Sequence, residues 1–435
     1  MTAEMLGVIG IVVLLILFML KIPVGISLII VGFIGTSMIR GWDVAFSQLG
    51  RTPFDTASSY SLSVIPLFIL MGMVLSNTGI GSDLYKAVDH WVGHLRGGLA
   101  MATIGTSSIF SAISGSLNAT TATVSKIALP EMEKYNYKSS LSTACVAAGG
   151  TLGILIPPSV ILILYGILTR EPIGALLIAG IIPGILQVIL FMITIAILVS
   201  RKPNLAPART EKVSFSEKFK SVAKIWPFLL LFLITIGGIY AGFFTPTEAA
   251  GVGAFCSILV ALISKKLNWK RFLDSFNESV RLTAYIFLIL IGATLFGQFI
   301  TISRIPQELT SFVGSLELNN YIILVFILLA LFLLGCFVEG LSLIVLTLPI
   351  VYPIITELGF NGIWFGIIMV MAINIGSLTP PIGISVYVIK GAAPHIPIQT
   401  IFKGVMPMIV AMVICVAVLI VIPDLVTVLP DMMNK

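Results

Sequence analysis

The sequence predicts an all-α polytopic membrane protein that is built from two related halves. Three observations predict this fold class: apolar segments recur along the whole chain, short proline motifs repeat at a nearly constant spacing, and polar or glycine-rich stretches interrupt the apolar segments at corresponding places. Of the 435 residues, 58% are hydrophobic and only 10% are charged, whereas globular domains carry about 25% charged residues. We therefore expect the chain to be embedded in a membrane.

The longest apolar segments are long enough to cross a bilayer. Leu176–Val199, Trp226–Phe244 and Val405–Ile422 each contain at least 18 residues, and a helix of about 20 residues spans the hydrocarbon core. The first segment, Leu6–Leu20, has no basic stretch before it, and the Lys-Ile-Pro sequence after it is not a small-residue cleavage site. Because it lacks these features of a signal peptide, we predict that it is the first span.

Two basic clusters set the predicted orientation. The polar segment 200–224 contains seven Lys and Arg residues against two Glu residues, and a second cluster lies at 265–271. Two predicted spans separate the clusters, so both can lie on one side of the membrane, and an excess of Lys and Arg marks the cytoplasmic side. Counting spans from there places both termini outside the cytoplasm, provided that each hairpin returns to the side it left.

An internal repeat divides the chain into two copies. Pro23 recurs as Pro246, and the proline pair 157–158 recurs as the pair 380–381, in both cases 223 residues later. Two amphipathic segments, 83–96 and 304–317, also correspond, and we predict that both lie at the membrane interface. An odd number of crossings in each copy would give inverted repeats, the usual architecture of secondary transporters, although a duplicated channel could show the same repeat.

A polar stretch in each copy interrupts an apolar run and predicts a re-entrant helical hairpin. In the first copy, Ser111–Ser125 places hydroxyl and amide side chains around Gly115. In the second, Gly335–Ser342 contains Glu339 beside Gly340. Non-helical backbone within a bilayer must be buried in protein or face a water-filled cavity, so we expect these tips to present oxygen atoms to an ion or polar solute. A carboxylate at this depth is a functional candidate, with a buried structural ion pair as the alternative.

Each predicted hairpin is followed by a span that is broken in its middle. The sequence GGTLGILIPPS occupies 149–159, and NIGSLTPPIG occupies 374–383. Tandem prolines cannot continue a helix, and the preceding glycines tolerate an unwound path. Unwinding exposes main-chain carbonyl oxygens, which suit Na⁺, and the C-termini of half-helices add partial negative charge. A simple proline kink is the alternative for either element alone.

The succession of these motifs resembles a known family over essentially the whole chain. The hairpin SGSLNATTATV, the break GGTLGILIPPS, the segment TPTEAAGVGA at 245–254, the hairpin GCFVEGLSLIVLTLPI and the break NIGSLTPPIG together resemble the large (M) membrane subunit of tripartite ATP-independent periplasmic (TRAP) transporters. The resemblance implies an elevator-type transporter of the ion-transporter superfamily, with a fixed scaffold and a mobile transport domain, in the bacterial inner membrane.

The resemblance also implies partners and an energy source. A small four-helix membrane subunit, expected as a separate chain, would pack beside the scaffold, and a periplasmic substrate-binding protein would deliver an organic anion. Import would be driven by a Na⁺ gradient, without ATP and without an organic cofactor. Sialic acids and C4-dicarboxylates are both compatible substrates. The implied domains are the first scaffold arm at 1–60, the first transport repeat at 61–170 (hairpin 99–135, broken helix 140–169), scaffold with the cytoplasmic loop at 171–275, the second transport repeat at 276–396 (hairpin 320–357, broken helix 362–391) and the last scaffold span at 397–435.

The resemblance assigns candidate site residues to two Na⁺ sites, where proline and isoleucine would bind through their carbonyl oxygens. The first site comprises Ser114, Ser116, Gly153, Ile156 and Pro158. The second comprises Gly340, Gly376, Thr379 and Ile382. Candidate substrate contacts are Asn118, Thr120, Glu339, Ser342 and Arg304. The guanidinium of Arg304 could hold a carboxylate with two hydrogen bonds, or the residue could be an ordinary interfacial anchor.

Other functions find less support in the sequence. No Walker motif, nucleophile elbow or CxxC motif occurs, which argues against an ATPase, a hydrolase or a redox enzyme. His90 and His94 have the spacing of a metal pair but no third ligand, and the net charge of +6 is explained by cytoplasmic loops without nucleic acid. The remaining alternatives are a channel and a Na⁺/dicarboxylate carrier of the same superfamily that needs no binding protein.

Overall fold

The computed structural model describes residues 2–207, 214–315 and 317–433. All regular elements in these ranges are helices, which confirms the all-α prediction. The first half comprises α1 (Ala3–Met19), α2 (Val24–Arg40), α3 (Trp42–Ala57), α4 (Val64–Asn77), α5 (Ile80–Val92), α6 (Gly98–Ser114), α7 (Leu117–Lys134), α8 (Ser139–Thr151), α9 (Val160–Thr169), α10 (Ile173–Ala179) and α11 (Ile181–Arg201). The second half comprises α12 (Phe215–Tyr240), α13 (Pro246–Ile263), α14 (Trp269–Ile302), α15 (Ile305–Ser315), α16 (Asn320–Gly335), α17 (Gly340–Glu357), α18 (Gly362–Leu378), α19 (Ile384–Ala392), α20 (Ile398–Val421) and α21 (Asp424–Met433).

Several helices are long and apolar enough to cross a membrane. Within the described ranges there are six such helical segments, and a seventh if α12, which bends by 53° near its start, is counted as one span. Helix α17 is one of these six, whereas α6, α8, α9, α16 and α18 are shorter apolar helices. The fold is therefore polytopic, as predicted. Residues 208–213 of the predicted cytoplasmic loop and residue 316 of the second amphipathic segment lie outside the described ranges.

The two halves repeat the same order of elements. Helices α7 and α17 are both 18 residues long and start 223 residues apart (340 − 117 = 223). Helices α5 and α15, α6 and α16, α8 and α18, and α9 and α19 correspond in the same way. Both proline pairs contain a cis peptide bond. The spacing of the proline motifs in the sequence thus reflects a repeat of the whole helical unit.

The halves differ in the stretch that precedes their amphipathic helices. Helices α3 and α4 are separate and joined by the 3₁₀ turn Tyr60–Ser63, whereas the corresponding part of the second half is the single 34-residue helix α14. The first half contains four serines between Ser58 and Ser63, and serine side chains compete with the helix for backbone hydrogen bonds. The corresponding residues of α14, Arg-Leu-Thr-Ala-Tyr-Ile at 281–286, do not offer the same local alternative.

The helices pack into two groups. Helices α1–α4 and α12–α14 pack on one another, chiefly α14 against α2 and α4, and α13 against α4. In the other group, α7 packs against α8, α16 against α18, α20 against α8 and α18, and α11 against α20 and α6. The amphipathic helices α5 and α15 connect the groups, because α5 contacts α12 and α6 while α15 contacts α14 and α17.

Glycines allow the central helices of the first group to approach closely. A Cβ placed on Gly32 of α2 would lie 2.7 Å from the backbone of Leu295 in α14, and one on Gly292 of α14 would lie 2.6 Å from the carbonyl oxygen of Gly25. These distances are shorter than a carbon side chain tolerates, so small residues set the separation of these two helices, as is common in membrane proteins.

We expect Gly32→Ala to destabilise the protein by about 1–3 kcal/mol, because the added methyl group must push two backbones apart. Thermal unfolding in detergent micelles measures the effect. Gly50→Ala in α3 is the matched control, since a Cβ there meets no atom within 4 Å, and alanine is the better helix former by roughly 0.5–1 kcal/mol. Equal losses of stability in the two variants would contradict the tight α2–α14 packing.

Candidate functional site

The first predicted hairpin is formed by α6 and α7. Helix α6 ends at Ser114, and Gly115 then adopts a left-handed conformation with φ of 58°, which reverses the chain. Ser116 caps α7, accepting a hydrogen bond from the backbone N–H of Ala119 at 3.4 Å. The hydroxyls of Ser114 and Thr120 are 2.7 Å apart. The tip thus consists of Gly115 and Ser116, which connect the C-terminus of α6 to the N-terminus of α7.

The second hairpin is formed by α16 and α17. Helix α16 ends at Gly335, and α17 begins at Gly340 with Glu339 at its N-cap position. The Glu339 side chain does not bond its own helix but accepts a hydrogen bond from the Asn118 side chain at 3.3 Å. Because Asn118 lies in the first turn of α7, this contact joins the tips of the two hairpins.

Both predicted breaks are present in the structure. Helix α8 is followed by the 3₁₀ turn Leu152–Ile154, and α9 begins at Val160 after Ser159, whose hydroxyl donates to the carbonyl of Ile154 at 2.7 Å. Helix α18 ends at Leu378, and α19 begins after Gly383, which has a φ of 63°. Each broken span is therefore two half-helices separated by an irregular segment that contains the proline pair.

The first hairpin tip and the first break are in direct backbone contact. A Cβ on Gly115 would lie 2.4 Å from the carbonyl oxygen of Pro158, and one on Gly153 would lie 2.7 Å from the carbonyl oxygen of Ser116. Four of the five residues predicted for the first Na⁺ site, Ser114, Ser116, Gly153 and Pro158, are thus brought together. The fifth, Ile156, lies in the same segment, and its side chain packs against Gly184 of α11.

The main-chain oxygens at this junction have spare hydrogen-bonding capacity. The carbonyl oxygens of Gly153, Ile156 and Pro158 accept no hydrogen bond from the described residues. Buried backbone carbonyls are normally paired, and the C-termini of α6 and α8 add partial negative charge at the same place. The arrangement has the chemistry of a cation site made from neutral oxygen atoms.

The residues predicted for the second Na⁺ site are arranged more loosely. A Cβ placed on Gly376 would lie nearest to atoms of Gly335 and Phe332 in α16. A Cβ placed on Gly340 would lie nearest to side-chain atoms of Ile161 and Ile373. The carbonyl of Gly376 is occupied by the N–H of Thr379 at 3.0 Å, and the Thr379 hydroxyl donates to the carbonyl of Ile375 at 2.8 Å. Ile382 is 38% exposed. The second junction is thus more open than the first.

A cavity lies where both tips and both breaks meet. Its volume is about 620 Å³ including the open mouth. The lining residues are Gly115, Ser116, Leu117, Asn118, Ile154, Val160, Ile161, Leu282, Ile286, Glu339, Gly340, Leu341, Ile373, Asn374, Ser377 and Ile384. Several of them lie at helix starts, so the N-termini of α7, α9, α17 and α19 all border the cavity. The single ionisable group in this lining is Glu339.

A second bond between the repeats lies deeper in the protein. The side-chain amide of Asn374 donates to the carbonyl oxygen of Thr151 at 2.7 Å, and the two residues are 223 positions apart. Since 223 is the repeat spacing, equivalent positions of the two broken spans touch each other. This contact marks the pseudo-twofold axis that relates the halves.

The candidate substrate residues do not form a single group. Asn118 and Glu339 line the cavity. Thr120 is buried and bonded to Ser114, and Ser342 is buried in the first turn of α17. Arg304 is exposed in the turn between α14 and α15, near Glu4 of α1, and is not among the residues that line the cavity.

Several polar groups of this region were not predicted from the sequence. Asn374 and Ser377 line the cavity, and the Tyr285 hydroxyl of α14 lies beside Glu339 and Ser342. Asn374 belongs to the quoted motif NIGSLTPPIG, and its spacing of 223 from Thr151 is a signal that could have identified it. The position of Tyr285 depends on how α14 packs against α17, which no local pattern reveals.

Comparisons with known proteins show which family the chain resembles and which solved structure shares its fold. A large permease protein of a C4-dicarboxylate TRAP transporter from Pseudomonas aeruginosa is 36% identical over 379 residues, covering 87% of this chain and 88% of that protein. A large permease protein of a sialic acid TRAP transporter from Vibrio cholerae is 31% identical over 411 residues, covering 94% and 95%. The solved structure of the YdaH transporter from Alcanivorax borkumensis has a similar fold, with a TM-score of 0.64 at 14% identity and coverage of 87% and 88%.

The family comparison confirms the resemblance seen in the sequence motifs. Residues 11–425 match the family described as "Tripartite ATP-independent periplasmic transporter, DctM component". The family consists of transporter permeases of the inner membrane, so the predictions of a transporter rather than an enzyme and of an inner-membrane location are also confirmed. This chain belongs to the DctM family of tripartite ATP-independent periplasmic transporters, as a large permease subunit.

Proposed function

We propose that this permease imports an organic anion through the cavity between the hairpin tips, together with Na⁺. The observation that carries the proposal is the convergence of four helix N-termini, those of α7, α9, α17 and α19, on one cavity. Each helix N-terminus carries about half a positive charge and free N–H groups. Helix N-termini that point into a transporter site are suited to the carboxylate of an anionic substrate.

The charge of the cavity supports coupling to a cation. Glu339 is the single ionisable residue in its lining, so no fixed positive side chain there offsets the charge of a bound anion. Burying two negative charges at membrane depth without a counter-charge is costly. Cations bound at the junctions beside the cavity would supply that counter-charge, and they would make anion binding depend on ion binding.

The first junction supports Na⁺ as that cation. In the proposal, the unpaired carbonyl oxygens of Gly153, Ile156 and Pro158, together with Ser114 and Ser116 at the tip, bind one ion. A second ion is assigned to Gly340, Gly376, Thr379 and Ile382, where binding would draw the more open segments together. Each ion would order a hairpin tip that the substrate then contacts, so the two affinities are linked.

The packing of the helices supports an elevator motion. We assign α1–α4 and α12–α14 to the scaffold, and the hairpins and broken spans to the transport domain. The sequence assigned 171–275 and 397–435 to the scaffold, and it placed α4 and most of α14 in the transport repeats at 61–170 and 276–396. The proposal moves α4 and α14 to the scaffold, because α4 packs against α13 and α14 packs against α2. In the proposal α11 and α20 move instead with the transport domain, because α20 packs against α8 and α18, and α11 against α20 and α6. The connecting helices α5 and α15 would bend at their ends as the domain moves.

The family and its relatives support a proposal for the substrate class and the partners. Large permeases of this family work with a small permease and a periplasmic binding protein. The two relatives described above are named for a C4-dicarboxylate and a sialic acid, which share an ionised carboxyl group. We propose that the substrate of this chain also carries a carboxylate, and that the small permease is a separate four-helix chain. A carrier that works without a binding protein, or a channel, gains no support from this family.

The Na⁺ sites predict how hydroxyl removal changes transport. Ser114→Ala and Thr379→Ala should each raise the Na⁺ concentration for half-maximal uptake by about tenfold or more, because a hydrogen-bond-like contact to a charge contributes about 1.5–3 kcal/mol. Uptake into proteoliposomes at varied Na⁺ measures this. Ser125→Ala is the control, because its hydroxyl lies in the same hairpin and, among the described residues, donates to the carbonyl of Thr121. An unchanged Na⁺ dependence in both test variants would rule out both site assignments.

The role of Glu339 predicts a change in ion stoichiometry. Glu339→Gln removes the negative charge while keeping an oxygen for the Asn118 amide, so uptake should require one positive charge fewer per anion and depend less steeply on Na⁺. The reversal potential of uptake reports the charge moved. Glu357→Gln, at the exposed end of the same helix, is the control. The same stoichiometry in Glu339→Gln and the unmodified protein would show that this carboxylate takes no part in charge balance.

A further inference from the structure

A second large crevice lies between the two groups of helices, away from the polar cavity. Its volume is about 300 Å³, at the lower end of the range of small-molecule pockets. The lining residues are Ser108, Ile109, Ala112 and Ile113 of α6, Ile156 and Pro157 of the first break, Ile181, Ile185, Val188 and Ile189 of α11, and Phe228, Leu229 and Phe232 of α12. One wall, α12, belongs to the proposed scaffold. The other walls belong to the group formed by the hairpins, the broken spans, α11 and α20, here called the hairpin group.

The surface of this crevice is apolar. None of its lining residues is ionisable, and its single side-chain polar group, the Ser108 hydroxyl, already donates to the carbonyl of Gly105 at 2.8 Å. A polar solute or an ion would find no free partner among these side chains, and desolvating it there would be costly. The ligand chemistry that fits is therefore a hydrocarbon chain.

The crevice is continuous with the surface that faces the bilayer. On α11, Ile185 and Ile189 are about half exposed, and the stripe continues along the same face with Ile193 and Ile197. On the opposite wall, Leu229 of α12 is also exposed. Helix α11, together with α10, is long and apolar enough to span the membrane, and so is α12 when its two bent parts are counted as one span. The mouth of the crevice therefore opens sideways at the depth of the lipid tails.

We propose that this crevice is a binding site for one acyl chain of a membrane phospholipid. The chain would lie between α12 on one side and α6 and α11 on the other, and its deep end would reach Ile156 and Pro157, beside the first candidate Na⁺ site. If the hairpin group moves relative to α12, as the proposed elevator requires, the shape of the site changes during transport. That consequence rests on the proposed function, whereas occupancy by lipid does not.

Photo-crosslinking tests the occupancy directly. The purified full-length permease is reconstituted into nanodiscs of phosphatidylethanolamine and phosphatidylglycerol that contain a small fraction of a phospholipid with a diazirine in its acyl chain. After illumination, the labelled peptides are mapped by mass spectrometry. We expect labelling at Ile113 and Phe228, which are buried at 3% and 4% exposure and which bulk lipid cannot reach unless a chain enters the crevice.

Filling the crevice should remove that labelling. Ala112→Phe places a ring where the chain would lie, and losing room for two methylene groups alone reduces occupancy about tenfold. Val188→Phe fills the crevice from α11, a different helix, so the test does not depend on one variant folding. Ile197→Phe, on the open lipid-facing side of α11, is the control and should leave the labelling at Ile113 and Phe228 unchanged.

The outcomes separate the possibilities. Labelling at Ile113 and Phe228 that falls about tenfold in a folded filling variant, but not in Ile197→Phe, supports the site. Absence of labelling at these two residues while Ile193 and Ile197 are labelled overturns it. So does displacement of the label by the small permease subunit when that subunit is co-reconstituted, since a protein helix would then be the occupant. None of these readouts requires transport, so a failure of the proposed function would not obscure the result.

Discussion

The structure depends on one constraint: main-chain polar groups inside the hydrocarbon layer need partners. A continuous helix meets this requirement by itself, but this protein interrupts four of its helical paths near the centre. At the first junction the consequence is visible, because the tip and the break touch through glycine backbone at Gly115 and Gly153 and three carbonyl oxygens have no partner among the described residues. Such oxygens must find water or a cation. Because a bound cation would pair with these oxygens, ion binding and closing of the hairpin would favour each other.

The hairpin tips of the two halves are built from residues of different chemistry. The first tip is built from serine, asparagine and threonine, whereas the second presents Glu339 within an apolar hairpin whose outer helix, α16, is exposed along one side. The first junction is compact, and the second is partly open. A duplicated framework therefore supports one neutral and one ionisable tip. The bond between Asn118 and Glu339 brings the two tips together at the cavity, where a substrate would contact both.

Much of this arrangement could be predicted from sequence because its signals are local. Glycine before tandem prolines identifies an unwound segment wherever it occurs, and a serine- and threonine-rich stretch within an apolar run identifies a hairpin tip. The constant spacing of the prolines then relates the copies. Contacts between distant helices carry no such signal. The pairing of Tyr285 with Glu339, the packing of α20 on the broken spans and the position of Arg304 outside the cavity all depend on how helices cross. The separation of α3 from α4 had a local signal in the serines that join them. That signal can be recognised only by comparison with α14, which is continuous at the corresponding place.

The bond between Thr151 and Asn374 has an evolutionary consequence. Elsewhere in the protein, a duplicated position can drift in one copy while the other copy keeps its original surroundings. On the axis of the repeat this freedom is lost, because each residue is part of its counterpart's environment. A change of Asn374 alters the neighbourhood of Thr151 in the same step. The acceptor is the main-chain carbonyl of residue 151, so the side chain at 151 can change without loss of the bond, whereas a change of Asn374 removes the bond from both copies at once.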